Sequence, residues 1–393
     1  MSKLLARQKT RDLLLGAALV CAAAALVVWP QESMDAAKTG LQLCYNVIIP
    51  SLFPFFVLSS LVVELGLAGY IGRALEGVMR PLFNVPGSCA SALALGFIGG
   101  YPVGARTAIS LYEKGMCSKT EAERLLAFCN NSGPAFILGV VGAGVFADSR
   151  MGLLLYLAHA AASVCVGLLF RFYRRGEGCG GRAGRLPIET RRFSAAFTGC
   201  VRDSCASTLN ICAFVVFFTV VIRMLTVSGA LPAAAAAAGA LLEPLGFDQQ
   251  WGERLLTGLL EVSSGVWSLT GGGSLSGRLS MAAFMLGWAG LSVHSQVLSF
   301  LGGSGLSVRT YLTGKLLHGG LSALFAALLS RAFAPDAAAA FYLAEQVEGI
   351  AALDGKRTLT LSLVCAWLLW LAFFAAAACA AGKTSGNRRR HVV

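Results

Sequence analysis

Charge is scarce in this chain of 393 residues. Asp, Glu, Lys and Arg make up 13% of it and hydrophobic residues 56%. An ordinary soluble domain carries about 25% charged residues, so a water-facing globular surface is excluded. Ten-residue segments of alternating apolar and polar character are also missing, which excludes an outer-membrane barrel. Several apolar runs instead reach the ~18 residues that cross a bilayer as a helix. The composition implies an all-α polytopic membrane protein.

Recognisable reaction chemistry is missing too. The twelve cysteines are scattered, mostly in apolar segments. There is no CxxC pair and no Cys/His cluster, so neither a metal site nor a disulfide framework is suggested. Cys200 and Cys205 read as small apolar packing residues. No nucleophile–base pair has a familiar spacing, so neither an enzyme nor a cofactor is expected. Acidic balance is lacking as well, since the net charge is +12. The basic residues gather at the start (Lys3, Arg7, Lys9, Arg11), between Arg171 and Arg192, and in the tail (Lys383, Arg388, Arg389, Arg390). Cytoplasmic loops carry such an excess by the positive-inside rule. The partner implied is the lipid bilayer, and no nucleic acid is needed to explain the charge.

The apolar runs predict spanning helices near 12–30, 46–66, 122–147, 151–173, 203–227, 279–301, 309–333 and 358–382. The run from Leu13 to Trp29 exceeds a usual signal-peptide core, so the first helix is read as retained. Two further apolar stretches, 88–112 and 252–276, are broken in the middle by Gly, Ser or Pro and read as re-entrant hairpins. Charge parity supports this. The amino terminus, central linker and tail all read as cytoplasmic, and four crossings in each half satisfy that. The first hairpin then opens from the cytoplasm, flanked by Arg73, Arg80, Lys114, Lys119 and Arg124. The second opens from the outside, among Glu243, Asp248 and Glu253. The units are 1–40 (first span and connector), 41–173 (first repeat), 174–192 (basic linker), 193–333 (second repeat) and 334–393 (last span and basic tail). The halves share a layout, so about eight spans and two opposed hairpins form an inverted repeat of the kind secondary transporters use.

Four polar stretches interrupt the apolar pattern. "GFIGGYPVGAR" (96–106) places Gly99, Gly100, Tyr101, Pro102, Gly104 and a charged Arg106 inside the first hairpin. Irregular backbone at membrane depth is tolerated only where protein or a water-filled cavity satisfies it. A guanidinium there suits a carboxylate or phosphate, although a snorkelling Arg106 explains the charge as well. "FCNNSGPAF" (128–136) breaks a helix with Asn130, Asn131, Ser132 and Gly133, more polarity than interhelical packing needs. "LEVSSG" (260–265) brings Glu261, Ser263 and Ser264. Glu261 suits carrying a proton, coordinating sodium, or pairing with Arg106 across the repeat axis. "GLSVHSQVL" (290–298) brings Ser292, His294 and Gln296 at every second position. On a regular helix these do not share a face, so either the helix unwinds there or only some of them point inward. His294 suits a proton relay or a packing hydrogen bond; His159 and His318 are weaker candidates of the same kind.

Taken together, "PSLFPFFVLSSLV", "MRPLFNVPG", "GFIGGYPVGAR", "EAERLLAFCNNSGPAFILGVVG" and "GLSVHSQVLS" resemble the sporulation integral membrane protein YlbJ family, also called SpoVV, whose members contain the nucleoside-recognition or Gate domain. The similarity runs from about residue 40 to about residue 330. It implies a fold related to concentrative nucleoside transporters, with two opposed hairpins and two broken helices around a central site. It also implies transport of dipicolinic acid across the outer forespore membrane during endospore formation. Arg106 falls on the basic position of the family's "GYPxGA(K/R)" element, and Asn130, Asn131 and Ser132 fall on its polar break. The expected substrate is therefore a small organic anion. A nucleoside carrier and a non-transporting scaffold for spore assembly remain as alternatives. The coupling ion, sodium or proton, is left open, and a homo-oligomer is compatible with this reading.

Overall fold

The computed structural model describes residues 2–65, 67–176, 193–243 and 249–332, and among them every regular element is helical. Helix α1 (Ser2–Val28) stops at Trp29, and the chain bends by 96° into α2 (Pro30–Leu43). Pro30 occupies the first turn of α2, where its fixed φ and missing N–H favour starting a helix over continuing one. A π-helical turn (Cys44–Ile48) leads into α3 (Ile49–Glu64). Helix α4 (Leu67–Phe83) then bends by 93° through a short 3₁₀ turn into α5 (Ala90–Gly99).

The first hairpin is α5 and α6 (Val103–Glu113), joined at Gly100–Tyr101–Pro102 with a cis Tyr101–Pro102 bond. Helix α7 (Lys119–Leu126) begins at a capping box in which Ser118 and Glu121 bond each other's backbone N–H, a strong amino-terminal signal. Residues 127–133 leave the α-helix, and the chain resumes as a π-helix (Ala135–Val145) before α8 (Ser149–Phe170). The second half runs through α9 (Phe193–Val227), α10 (Ala230–Leu242), α11 (Gln249–Leu260), α12 (Val262–Trp267), α13 (Leu275–Trp288), α14 (Gly290–Leu301) and α15 (Val308–Ala332).

The core lies where α15 packs along α13 and α8. Close approach is possible because Gly287 of α13 meets Gly319 of α15 and Gly142 meets Gly152, the small-residue contact that membrane helices favour. A second apolar cluster of Cys44, Phe56, Leu95, Val103, Ile211, Cys212 and Val215 joins α3 and the hairpin to α9. A polar clamp holds one end of α7. Arg124 is fully buried and donates to the carbonyls of Asn84, Tyr173 and Arg174. Glu123 accepts from the Tyr173 hydroxyl and the Ser307 amide, fixing the connection between α14 and α15.

Large apolar side chains stay exposed along α8 (Leu153, Leu157, Leu169), α9 (Leu209, Phe217) and α15 (Leu316, Leu324, Leu328). In water such a surface is a liability; against lipid it is the expected face. Four helical segments are long and apolar enough to cross a bilayer, Ser149–Phe170, Ala196–Val227, Leu275–Leu301 and Val308–Arg331, or up to six if each bent pair is one span.

Several expected spans take a different form. The stretch 122–147 is no single helix, because 127–133 is irregular. The stretch 279–301 begins at Leu275 and is interrupted at Ala289, whose φ of 79° is left-handed. The stretch 203–227 belongs to a helix that starts ten residues earlier, at Phe193. The last span 358–382, the tail and residues 177–192 of the basic linker lie outside the described residues.

Candidate functional site

The site starts from backbone that glycine alone permits. Gly100 has φ +76°, and a Cβ there would lie 2.8 Å from the amide nitrogen of Gly133. The hairpin tip therefore rests directly on the break that follows α7. Behind the tip, the Cys129 carbonyl fits between Gly96 and Gly104, one on each arm, where any added Cβ would collide with it.

The break leaves backbone groups without helical partners, and distant side chains supply them. The Phe128 carbonyl accepts from Ser163 (2.8 Å) and from Asn131 (3.1 Å). The Ser132 amide donates to His159 Nε2 at 3.0 Å. The Asn130 carbonyl accepts from Lys315 Nζ at 2.9 Å. Helices α8 and α15 thus complete the broken segment.

Around this point a polar cluster forms. Asn130 donates to the Tyr311 hydroxyl (3.3 Å), which lies 3.1 Å from His294 Nδ1. The His294 ring meets the edge of Trp288, with centroids 4.3 Å apart, and Trp288 Nε1 bonds the Leu259 carbonyl. Lys315 Nζ stands 5.9 Å from the centre of the Tyr101 ring. Asn130 Oδ1, Asn131 Oδ1 and His294 Nε2 are buried here with no partner among the described residues, and the buried hydroxyls of Tyr101 and Ser132 face only each other. Leaving one such group unmade costs about 1–3 kcal/mol, so this many in one place marks a site meant for a ligand or water. Lys315 sharpens the point. It is 1% exposed, and no carboxylate among the described residues pairs with it. Ionising a buried amine without a counter-charge is expensive, and an ionisable group inside a membrane indicates function by default.

The second hairpin has a different tip. Glu261 caps α12, its two oxygens accepting from the amides of Ser263 (2.9 Å) and Ser264 (2.7 Å). The break at Ala289–Gly290 packs against it, since a Cβ on Gly290 would sit 3.2 Å from the Glu261 Cα. Each hairpin tip thus touches the break in the helix that follows.

The structure brings Tyr101, Asn130, Asn131, Ser132 and His294 together. Gly99, Gly100, Pro102, Gly104 and Gly133 shape the backbone beside them. Ser263 and Ser264 contribute amides to Glu261. Helix α14 is regular, so it does not unwind at Ser292, His294 and Gln296; all three are buried, on a helix that exposes Leu291 and Ser299, and of the three His294 reaches the cluster. Arg106 stands apart. It is half-buried, 5.0 Å from the Phe56 ring centre, and its Nη2 lies 3.4 Å from the Asp203 carbonyl of α9, while Nη1 has no partner. It does not pair with Glu261. Lys315, Tyr311 and Trp288 were not anticipated. A signal existed: Tyr311, Lys315, His318 and Ser322 follow the i, i+4, i+7, i+11 spacing of one helix face, and all four are buried.

Comparison with known proteins agrees with the resemblance. Residues 46–174 match the Gate family model, described as nucleoside recognition. The chain is 32% identical over 339 residues to the sporulation integral membrane protein YlbJ of Bacillus subtilis (strain 168), covering 82% of this chain and 83% of that protein. An uncharacterized protein of Alkalihalophilus pseudofirmus is 33% identical over 109 residues, 27% of this chain and 23% of the relative. Among solved structures, a doubly substituted CNTnw in an outward-facing state superposes with a TM-score of 0.43 at 14% identity, over 80% of this chain and 90% of that one.

Proposed function

Because this chain belongs to the YlbJ family of sporulation integral membrane proteins, we propose that it is a membrane carrier for a small organic anion, with dipicolinate as the anion. The observation that carries this reading is Lys315, a buried ionisable amine with no acidic partner among the described residues, amid unpartnered polar atoms. A carboxylate is the complement of such a centre. Tyr101, Asn130, Asn131, Ser132 and His294 line the site, and Glu261 lies behind the second tip. Arg106, at the seam between the first hairpin and α9, lies outside this cluster. Eight crossings with two opposed hairpins form the carrier, its termini and its 174–192 linker are cytoplasmic, and it resides in the outer forespore membrane.

A nucleoside is the second reading, and one observation favours it. The match described as nucleoside recognition covers the hairpin and the asparagine break, and the orphan amide oxygens of Asn130 and Asn131 in that break are neutral.

Uptake into sealed liposomes containing the purified protein separates the readings. Labelled dipicolinate and labelled uridine are compared, each with Lys315→Gln and Arg106→Gln. Dipicolinate uptake that collapses in Lys315→Gln supports the anion carrier. Uridine uptake indifferent to both substitutions moves the protein to the nucleoside class. If neither solute crosses, the carrier reading fails and a scaffold for spore assembly takes its place.

A further inference from the structure

Next to the cluster lies a pair of imidazoles whose Nδ1 atoms the ligand site does not use. His159 of α8 and His318 of α15 are both fully buried, with ring centroids 4.3 Å apart. Their hydrogen bonds fix where their protons sit. His159 Nε2 accepts the Ser132 N–H, so the neutral ring carries its proton on Nδ1. His318 Nε2 lies 3.0 Å from the His159 carbonyl, which only accepts, so the proton is on Nε2 and Nδ1 offers a lone pair. Both Nδ1 atoms are buried without partners. The orphans are complementary: one is a donor, the other an acceptor. The lone pair on His318 is the one free basic nitrogen in the pair.

The surroundings hold one charge. Lys315 is one turn from His318 on the same face of α15. The α7 break contributes Cys129 and Ser132, and Tyr311 lies one turn beyond Lys315. Helix α8 adds Ser163. Helix α13 approaches through Gly287, which meets Gly319 and the His318 carbonyl and brings no titratable group there. Among the described residues no carboxylate faces the pair.

We propose that the His159–His318 pair is a buried site for one proton that is taken up together with the anion. This rests on the anion-carrier reading. With Lys315 uncompensated, a second positive charge on His318 is repelled by the first. An anion on Lys315 cancels that repulsion, and by reciprocity a proton on the pair strengthens anion binding. Ser132 ties the two sites together mechanically, because its amide bonds His159 while its side chain belongs to the ligand cluster. The carrier is then a proton–anion symporter.

The test uses the full chain in liposomes with the membrane potential clamped at zero. Dipicolinate counterflow at equal pH reports carriage alone. A pH gradient, acidic outside, is then imposed. Accumulation of about tenfold per pH unit is expected for one proton per anion, with matching acidification inside. His318→Gln keeps an N–H for the His159 carbonyl, and His159→Gln keeps an acceptor for the Ser132 amide. His318→Gln should retain counterflow and lose gradient-driven accumulation; His159→Gln, at a residue that also bonds the Ser132 amide of the cluster, should lose accumulation at whatever counterflow it keeps. Wild-type counterflow without accumulation or acidification overturns the inference and leaves the carrier reading intact, as does accumulation that survives both substitutions. Absence of wild-type counterflow overturns the carrier reading and this inference with it. Should both variants lose counterflow, the wild-type ratio of protons to anions decides alone.

Discussion

Arg106 lies on the second arm of the first hairpin and Lys315 beside its tip, and the settings of these two basic residues differ in kind. Arg106 is half-buried, rests on the Phe56 ring and reaches a backbone carbonyl of α9. Lys315 is sealed from solvent, and among the described residues its polar contacts are the Asn130 carbonyl and the Tyr101 ring. The arginine sits where the hairpin meets a long, lipid-facing helix. The lysine sits where hairpin tip, helix break and α14 converge. Proximity to a conspicuous motif is therefore a poor guide to which charge a ligand meets; the counting of partners is a better one.

Four measurements press on that difference. Lys315→Gln retains a donor for the Asn130 carbonyl but removes the charge. Hydrogen bonds to charged groups contribute about 1.5–3 kcal/mol, so dipicolinate uptake should fall about 10- to 100-fold while the variant remains folded in detergent. Gly100→Ala puts a Cβ into the Gly133 amide at a positive φ. Such strain costs about 1–3 kcal/mol, and thermal unfolding should shift down with uptake reduced about tenfold. Tyr311→Phe removes the hydroxyl between Asn130 and His294. A net loss near 1 kcal/mol corresponds to about fivefold weaker binding by equilibrium dialysis. Arg106→Gln forfeits a contact with an aromatic ring worth about 0.5–1 kcal/mol, so uptake should drop about threefold. If Arg106→Gln equals Lys315→Gln in severity, the contrast between the two cations is wrong and the seam with α9 is part of the binding site.

Much of the backbone plan was legible beforehand. "GGYP" and "NNSGP" cannot sit in continuous helices, and the chain does break at both places. Residues 122–147 still read as one span, since apolar flanks on both sides hide a seven-residue gap from any windowed reading. Side-chain direction was the harder matter. Lys315 and His318 lie in a run whose average character is apolar, and their role depends on α8 and α13 packing against that particular face of α15. Arg106 was conspicuous because glycine and proline surround it, and those residues describe the turn rather than the destination of the guanidinium.

The bond from Lys315 to the Asn130 carbonyl joins positions 185 residues apart. It has a consequence for biosynthesis. The polar break emerges from the ribosome long before the helix that completes it. At about 5–20 residues per second the wait is roughly 10–40 s. Throughout that interval the nascent first half carries unmet backbone groups that lipid cannot satisfy. It must be sheltered by the insertion machinery or stay near water until α15 arrives. A message truncated before residue 308 would yield a membrane-inserted fragment that quality-control proteases recognise, even though each of its helices is intact.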